Sequence, residues 1–473
     1  MAGVLAGMLL LDIHKVAIAI PALERSLDPG PTGIQLVHAA YVVTFALTLI
    51  PSGQLGDRGN RLVLIGVGLT LYLAASALCT FAPAIEWVIL GRAILGVAAG
   101  ILMPQAMGLV QSLFSGTERG RAFGVYGVCV SLTTSIGPSL GGLLIWFGGE
   151  EHGWRGVFFL NLPIGIALSI AALVLLPPLR AELLPDGGRT NQSDFLGLTL
   201  VGGAIVMFLA PFILTTGRPS DPSWRWLLLI LSIAFGIGAA LRSRARGRAG
   251  LGTAIDFQLL SLRSLRNGVL ISLTWFAAGP AFTLGLLVYL QATLGLNAFV
   301  AGLLMLPSAV SSAAGAALGG RFVNRHGRRV TILGMCISAV GMILSALSLN
   351  LPLAGVLIAI PALQLLTGFG GGLVVSPNHA QTLADVPRDK GGAASSLGQL
   401  AQRMSNSAGV ALASVALFVP IYGAGLTLDT APAGLALSAT HATMLVALGF
   451  MAVALTIAFT DRRRQRSAGR TEQ

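Results

Sequence analysis

Stretches of about 20 apolar residues recur about fourteen times along this chain, from Ala2–Ala22 to Leu435–Phe459, and each is long enough to cross a hydrocarbon core of roughly 30 Å. Of the 473 residues, 54% are hydrophobic and only 10% charged, against roughly 25% charged in a soluble protein. The expected fold class is an all-α polytopic membrane protein. A net charge of +12 raises the question of nucleic acid, but the basic residues form no stripe. They sit in every second loop: Arg58 and Arg61, Arg119 and Arg121, Arg180 and Arg189, the run from Arg242, the run from Arg321, Arg388 and Lys390, and the C-terminal DRRRQR. The positive-inside bias puts those loops and both termini in the cytoplasm. Trp87, Trp146, Trp154, Trp224 and Trp226 fall at the opposite ends, as an aromatic belt would. The first apolar run has no basic leader and is broken by charges, so it reads as a retained helix rather than a cleaved signal. Cys79, Cys129 and Cys336 lie inside expected spans and read as small buried hydrophobes.

Six apolar segments over 1–177 form an N-terminal bundle, 178–242 holds a polar linker and an inserted helix pair, and 243–460 holds an amphipathic linker and six more helices. A basic cytoplasmic tail, 461–473, follows. GQLGDRGNR from Gly53 and GRFVNRHGRR from Gly320 repeat one pattern at corresponding loops of the two six-helix halves, as in transporters whose halves rock about a midplane site. Conformational gating is therefore assigned to Gly53, Asp57, Arg58 and Arg61 in the first copy and Asn324, Arg325 and Gly327 in the second.

Four motifs in order carry a resemblance. GQLGDRGNR matches a second-to-third-loop motif at Gly53, Leu55, Asp57, Arg58 and Arg61, with Asn60 where a glycine is usual. RAILGVAAG from Arg92 matches a fourth-helix motif with an intramembrane arginine. GVYGVCVSLTTSIGPSLGG matches a fifth-helix motif at Gly124, Gly137, Pro138, Gly141 and Gly142, and WRGVFFLNLPIG from Trp154 matches a sixth-helix start. Over essentially its whole length the chain resembles the fourteen-helix drug:proton antiporters of the major facilitator superfamily. The resemblance implies the major facilitator fold, an Arg92 that senses the protonation of a first-helix acid, and a bend at Gly137–Pro138 that stops proton leak through the empty protein. The opening run also resembles that branch's first-helix motif at Leu11, Asp12, Val16, Ala19 and Pro21, while His14 and Lys15 depart from it.

Asp12 and Lys15 are three residues apart on a helix and share a face. A charge at mid-bilayer costs at least about 2.5 to 3.5 kcal/mol, so both are expected to point into the cavity between the halves. They are either a self-neutralising pair or a coupling site; Asp12 is the one acid placed deep in any expected span, so if a carboxylate carries the proton it is this one. Arg92 either snorkels to an interface or joins that site. His14 projects away from its charged neighbours, toward another helix or a proton path. Trp275, Gln364, Asn378 and Arg403 are candidate cavity residues, with helix–helix contact as the alternative for the first three. His379 and His441 read as isolated structural groups. Lys15, Arg92 and Arg403 together set three cations against one acid, a field that disfavours cationic cargo. No phosphate loop, metal cluster or nucleophile–base arrangement is visible, so no cofactor is expected and a proton gradient is the expected energy source. The expectation is a non-enzymatic monomer in the bacterial cytoplasmic membrane: a proton-coupled antiporter that exports small, largely apolar drugs, antibiotics or natural products. Its partners are the substrate, protons and the bilayer, with no nucleic acid. Transport of one anionic metabolite in either direction, and a ligand sensor that moves nothing, stand as alternatives.

Overall fold

The computed structural model describes residues 1–27, 30–114, 116–179, 194–214, 222–249, 251, 253, 257–296, 298–387, 390–426 and 430–471. The helices are α1 (Ala2–Leu27), α2 (Gly30–Leu55), α3 (Arg61–Thr80), α4 (Ile85–Leu113), α5 (Gly116–Phe159) and α6 (Asn161–Leu175). After them come α7 (Phe195–Ile213) and α8 (Leu227–Arg248). The rest are the short α9 (Phe257–Ser261), then α10 (Arg263–Val288), α11 (Ala298–His326), α12 (Arg328–Ser348), α13 (Leu353–Thr382), α14 (Gly391–Gly423) and α15 (Ala433–Thr471). Twelve helical segments among the described residues are long and apolar enough to cross a membrane. In lipid the backbone has no water to bond, so it satisfies itself within each helix. Proline survives inside α2, α4, α7, α10, α11, α13 and α14 because neighbouring helices shield the freed carbonyls.

The internal repeat reappears as packing. In the first bundle α1 lies on α5, α2 on α4, and α3 on α6; in the second α10 lies on α14, α11 on α13, and α12 on α15. Each bundle has its own apolar core, one built around residues such as Leu9, Phe45 and Leu102, the other around Ile271, Met335 and Ala447. The bundles meet along two seams, α5 against α11 and α2 against α14. The inserted helices α7 and α8 pair with each other, and α7 leans on both α2 and α14, across one seam.

Reversals use different backbone devices. α5 turns back at Gly149 (φ +75°), a conformation that glycine adopts without a Cβ clash, and the arm beyond it runs into α6 as one apolar segment, His152–Leu175. The first repeat joins α2 to α3 through a π-helical turn, Gly56–Asn60, whereas the second joins α11 to α12 through Gly327 at φ +52°. The two copies thus share sequence pattern but not turn geometry.

Several expectations change here. Trp154 is not part of a belt: it is fully buried, with Arg155 stacked 4.3 Å from its ring and Phe158 edge-on. Trp87 and Trp224 are exposed, as belt residues are. The amphipathic linker forms only the five-residue α9, because Leu262 adopts an extended backbone (ψ 119°) before α10; Leu259 is buried in the first bundle's core. α8 extends to Arg248, beyond the 242 boundary, and α15 continues past 460, carrying Asp461 inward where a solvated tail was expected.

Candidate functional site

Asp12, Lys15 and Arg92 come together, and all three are fully buried. Arg92 Nη1 donates to Asp12 Oδ2 at 2.6 Å, and Lys15 Nζ lies 3.5 Å from Asp12 Oδ1, one helical turn along α1. Asn161, the first residue of α6, completes the arrangement: its Nδ2 donates to Asp12 Oδ1 at 2.9 Å and to Ser76 Oγ of α3 at 3.2 Å, while its Oδ1 accepts from Lys15 Nζ. The Asn161 amide both donates and accepts, so it links acid and amine at fully buried positions. Arg92 Nε donates to the Val37 carbonyl at 3.1 Å, and the guanidinium lies 4.2 Å over the Tyr41 ring, whose hydroxyl donates to Leu9 O at 3.2 Å. Burial of this degree excludes snorkelling for Arg92.

The orientation expected for Asp12 and Lys15 is corrected. Neither opens on the space between the halves; the partners that hold them come from α1, α3, α4 and α6, all in the first bundle. The desolvation cost is met by mutual pairing inside one bundle rather than by a wet cavity. The small residues beside Arg92 do what their spacing suggests. A Cβ on Gly96 would collide with Thr44 and the Tyr41 carbonyl, and one on Gly100 would lie 2.7 Å from Phe45 O, so α4 can press its small face against the α2 backbone. The side chain of His14 lies outside the described residues.

At the opposite end of α2 the gating motif is an interlock. Asp57 Oδ1 accepts from Gly392 N at 2.6 Å and Oδ2 from Ala393 N at 2.7 Å, which places a carboxylate on the N-terminus of α14 in the other bundle. The helix dipole and the unpaired N–H groups there favour an anion. Gly53 makes the approach possible, since a Cβ there would run into Ser396 and Gly392. Arg61 holds Asp57 from the side at 3.3 Å and bonds Gly108 O and Ser112 Oγ of α4. Arg58 is half-buried beside it.

In the second copy Asn324 stands where Asp57 does, and it meets α5 where a Cβ on Gly120 would be 2.6 Å from its Nδ2. Gly124 and Gly320 bring the backbones together beside it: a Cβ on Gly124 would lie 3.2 Å from Gly320 Cα. Arg325 is exposed and Gly327 forms the turn. The counterpart of Arg61 is Arg328, which sequence reasoning left out although it is the next position of the repeat. It is buried, with Nε on Asp461 at 2.8 Å and Nη1 on Asn378 Oδ1 at 2.8 Å.

That contact gives Asn378, open between cavity and helix–helix contact, the second of those roles. Its other end bonds Gly268 O and Ser272 Oγ, so it fastens α10, α12 and α13. Gln364 bonds Met305 Sδ at 2.8 Å and Trp275 packs over Gly371, both buried within the second bundle. Gly141 touches α1, where a Cβ would lie 2.9 Å from Lys15 O, whereas Gly142 faces open space. Helical backbone runs through the buried Gly137 and through Pro138, whose side chain lies outside the described residues. Of the second-half cavity candidates, Arg403 lies on a seam: it is buried on α14 with its guanidinium 5.0 Å over the Phe45 ring of α2. His379 is buried at the other seam, near Phe123 and Tyr126 of α5, and His441 bonds Ala346 O at 3.0 Å.

Two six-helix bundles with matched internal pairing are closed on each other by backbone-level contacts and hold an ion network inside one of them, an architecture of multi-pass membrane proteins. The model of the Major Facilitator Superfamily matches residues 2–197 and 195–410, and the chain belongs to that family. The chain is similar to "Probable actinorhodin transporter" of Streptomyces coelicolor, with 30% identity covering 88% of this chain and 72% of that one. "Multidrug resistance protein Stp" of Mycobacterium tuberculosis is 27% identical over 86% of this chain and 72% of its own length. Among solved structures, the human organic anion transporter MFSD10 superimposes with a TM-score of 0.66 at 16% identity, covering 97% of this chain and 98% of that one; the likeness is one of fold.

Proposed function

We propose that the protein is a proton-coupled antiporter of a bacterial cytoplasmic membrane that exports small, largely apolar molecules such as antibiotics or other natural products. The observation that carries this reading is the fully buried Asp12, shared by Arg92, Lys15 and Asn161, in a chain whose relatives bear the names of an antibiotic transporter and a multidrug resistance protein. Asp12 is the proton carrier. When it is protonated, Arg92 loses its counter-charge and shifts on Tyr41. Tyr41 meets Phe45 edge-on at 5.8 Å, and Phe45 lies under Arg403 of the other bundle, so the shift reaches the seam. No cofactor takes part; the proton gradient supplies the energy.

The membrane carries fourteen helices in this reading. α1, with 26 residues, and the arm of α5 before Gly149 add to the twelve apolar segments, and the alternation of basic loops places both termini in the cytoplasm. The Asp57 interlock then lies on the cytoplasmic side and is closed, which corresponds to a site that faces outward. One copy of the chain contains both bundles, and a monomer suffices. The test is a flux assay in proteoliposomes of the purified protein with a pH-sensitive dye inside, against a panel of apolar antibiotics. At least one compound is expected to drive proton movement in proportion to its own. Compounds that bind yet move no protons, with no flux of any panel member, would leave a sensor instead.

A further inference from the structure

Three of the buried guanidinium groups deal with their charge in the same way. Arg92 pairs with Asp12, Arg61 with Asp57 and Arg328 with Asp461. Arg403 breaks the pattern. Only 7% of it is exposed, yet among the described residues no acidic side chain pairs with it and no hydrogen bond engages it; its Nε is shut in without a partner. Its company is aromatic. Phe45 carries it at 5.0 Å, and Tyr41 and Tyr126 are near enough to feel its charge. A guanidinium without a counter-charge at a buried seam is costly, and the ring face recovers only part of that cost.

The neighbouring polar atoms on α14 are equally unsatisfied. Gln399 and Arg403, four residues apart, share a face, and Gln402 adjoins it. Gln399 Oε1 and Gln402 Nε2 are buried without partners, while Gln399 Nε2 touches Met107 Sδ at 3.2 Å. Met103 lies below Tyr126, with the Tyr126 hydroxyl 4.0 Å from its Sδ. The side of α14 turned to α2 and α4 therefore offers a fixed cation on Arg403 and an amide acceptor on Gln399, with the amide donor of Gln402 at the adjoining position. Opposite it are two aromatic rings and two thioethers, which adapt their shape easily.

We infer that this face is the substrate's recognition site, and that the substrate class is an aromatic anion bearing a hydrogen-bond donor. The carboxylate or phenolate takes the free edge of Arg403, where a fork of N–H groups suits a planar anion. Gln402 adds a donor to the anion, Gln399 accepts from a hydroxyl on the ring, and the aromatic body stacks among Phe45, Tyr126 and the methionines. This assignment rests on the transporter reading and adds to it the charge and shape of the cargo. It replaces the three-cation field expected from sequence, because Lys15 and Arg92 are already engaged by Asp12 and Asn161.

Equilibrium binding to the purified full chain in lipid nanodiscs tests it without requiring transport. The probes are 6-hydroxy-2-naphthoate and its uncharged 6-hydroxy-2-naphthamide. The wild type is expected to bind the acid about ten- to a hundredfold more tightly than the amide, the range of a charge-assisted hydrogen-bonded pair. Arg403→Gln should abolish that preference, and Arg403→Lys should retain part of it. Equal affinity for the two probes in the wild type, no binding of either, or an unchanged preference in Arg403→Gln overturns the assignment. The acid–amide comparison in the wild type decides the matter even if both variants misfold. Anion-selective binding with no proton-coupled flux of the same acid would instead keep the site and remove the transporter reading.

Discussion

Asp12 is held by Arg92 of α4, Asn161 of α6 and Lys15 of its own helix, and this sets the cost of changing it. Asp12→Asn leaves two buried cations without a carboxylate, which should cost about 3 to 5 kcal/mol. Adding Arg92→Gln removes one of those cations, so the double variant should melt closer to the wild type than the sum of the single changes implies. Thermal denaturation of the four proteins in detergent measures the coupling, expected at about 0.5 to 3 kcal/mol; strict additivity would mean that the two side chains act independently. The Asp12–Lys15 pair was legible because helical periodicity alone puts i and i+3 on one face. Asn161 was not picked out, although a lone amide at the head of the apolar run NLPIGIALSIAALVL was the available signal. Which helix would answer Asp12 depends on how the bundle folds, and spacing along one helix carries no such information.

Elements are held by close backbone approach at some glycines and by ion pairs at helix ends. Gly96→Leu should force α2 away from α4 and destabilise by about 1 to 3 kcal/mol, while Gly142→Ala, with nothing in its way, should be neutral or mildly stabilising. Melting temperatures of the two variants make the comparison, and similar losses in both would show that the contact at Gly96 is not what matters. Asp194 caps α7 through Gly197 N at 3.0 Å and draws in Arg242 at 2.7 Å and Arg246 at 3.7 Å from α8. Burial works to raise its pKa, but the bonds from Arg242 and Gly197 and the charges of Arg242 and Arg246 outweigh it, so Asp194 titrates below the ordinary carboxylate value. A group depressed in the folded state stabilises above its unfolded pKa and loses that contribution as pH falls through the folded value. The α7–α8 pair should therefore loosen as pH drops below the usual carboxylate range. Asp194→Ala should show less of that pH dependence and a loss of about 0.5 to 2 kcal/mol at neutral pH. Proteolysis or hydrogen exchange of α7 across a pH series reads both effects.

Between the bundles, the closed seam depends on a carboxylate seated on a helix N-terminus. Asp57→Ala should favour separation of α2 from α14, and a cysteine introduced at the buried Gln399, in a background without native cysteines, should then react faster with a water-soluble thiol reagent. Unchanged reactivity would place the lock elsewhere. At this scale the sequence was informative where it repeats: Gly53–Arg61 and Gly320–Arg328 occupy equivalent places, and the two copies reach across the two seams. It was less so where different helices converge. Asn378 and Gln364, read along α13, stay open between cavity and helix–helix contact, and only the bundle shows their bonds to other helices, whereas the contact between Arg403 and Phe45 joins residues 358 positions apart. If protonation of Asp12 drives the exchange, proton-coupled substrate flux in proteoliposomes must separate wild type, Asp12→Asn and Asp12→Glu at matched protein density. The Asn variant is expected to bind substrate but to exchange no protons for it, while Glu restores exchange with a displaced pH optimum. Exchange by Asp12→Asn at the wild-type rate and pH profile would rule Asp12 out as the proton carrier.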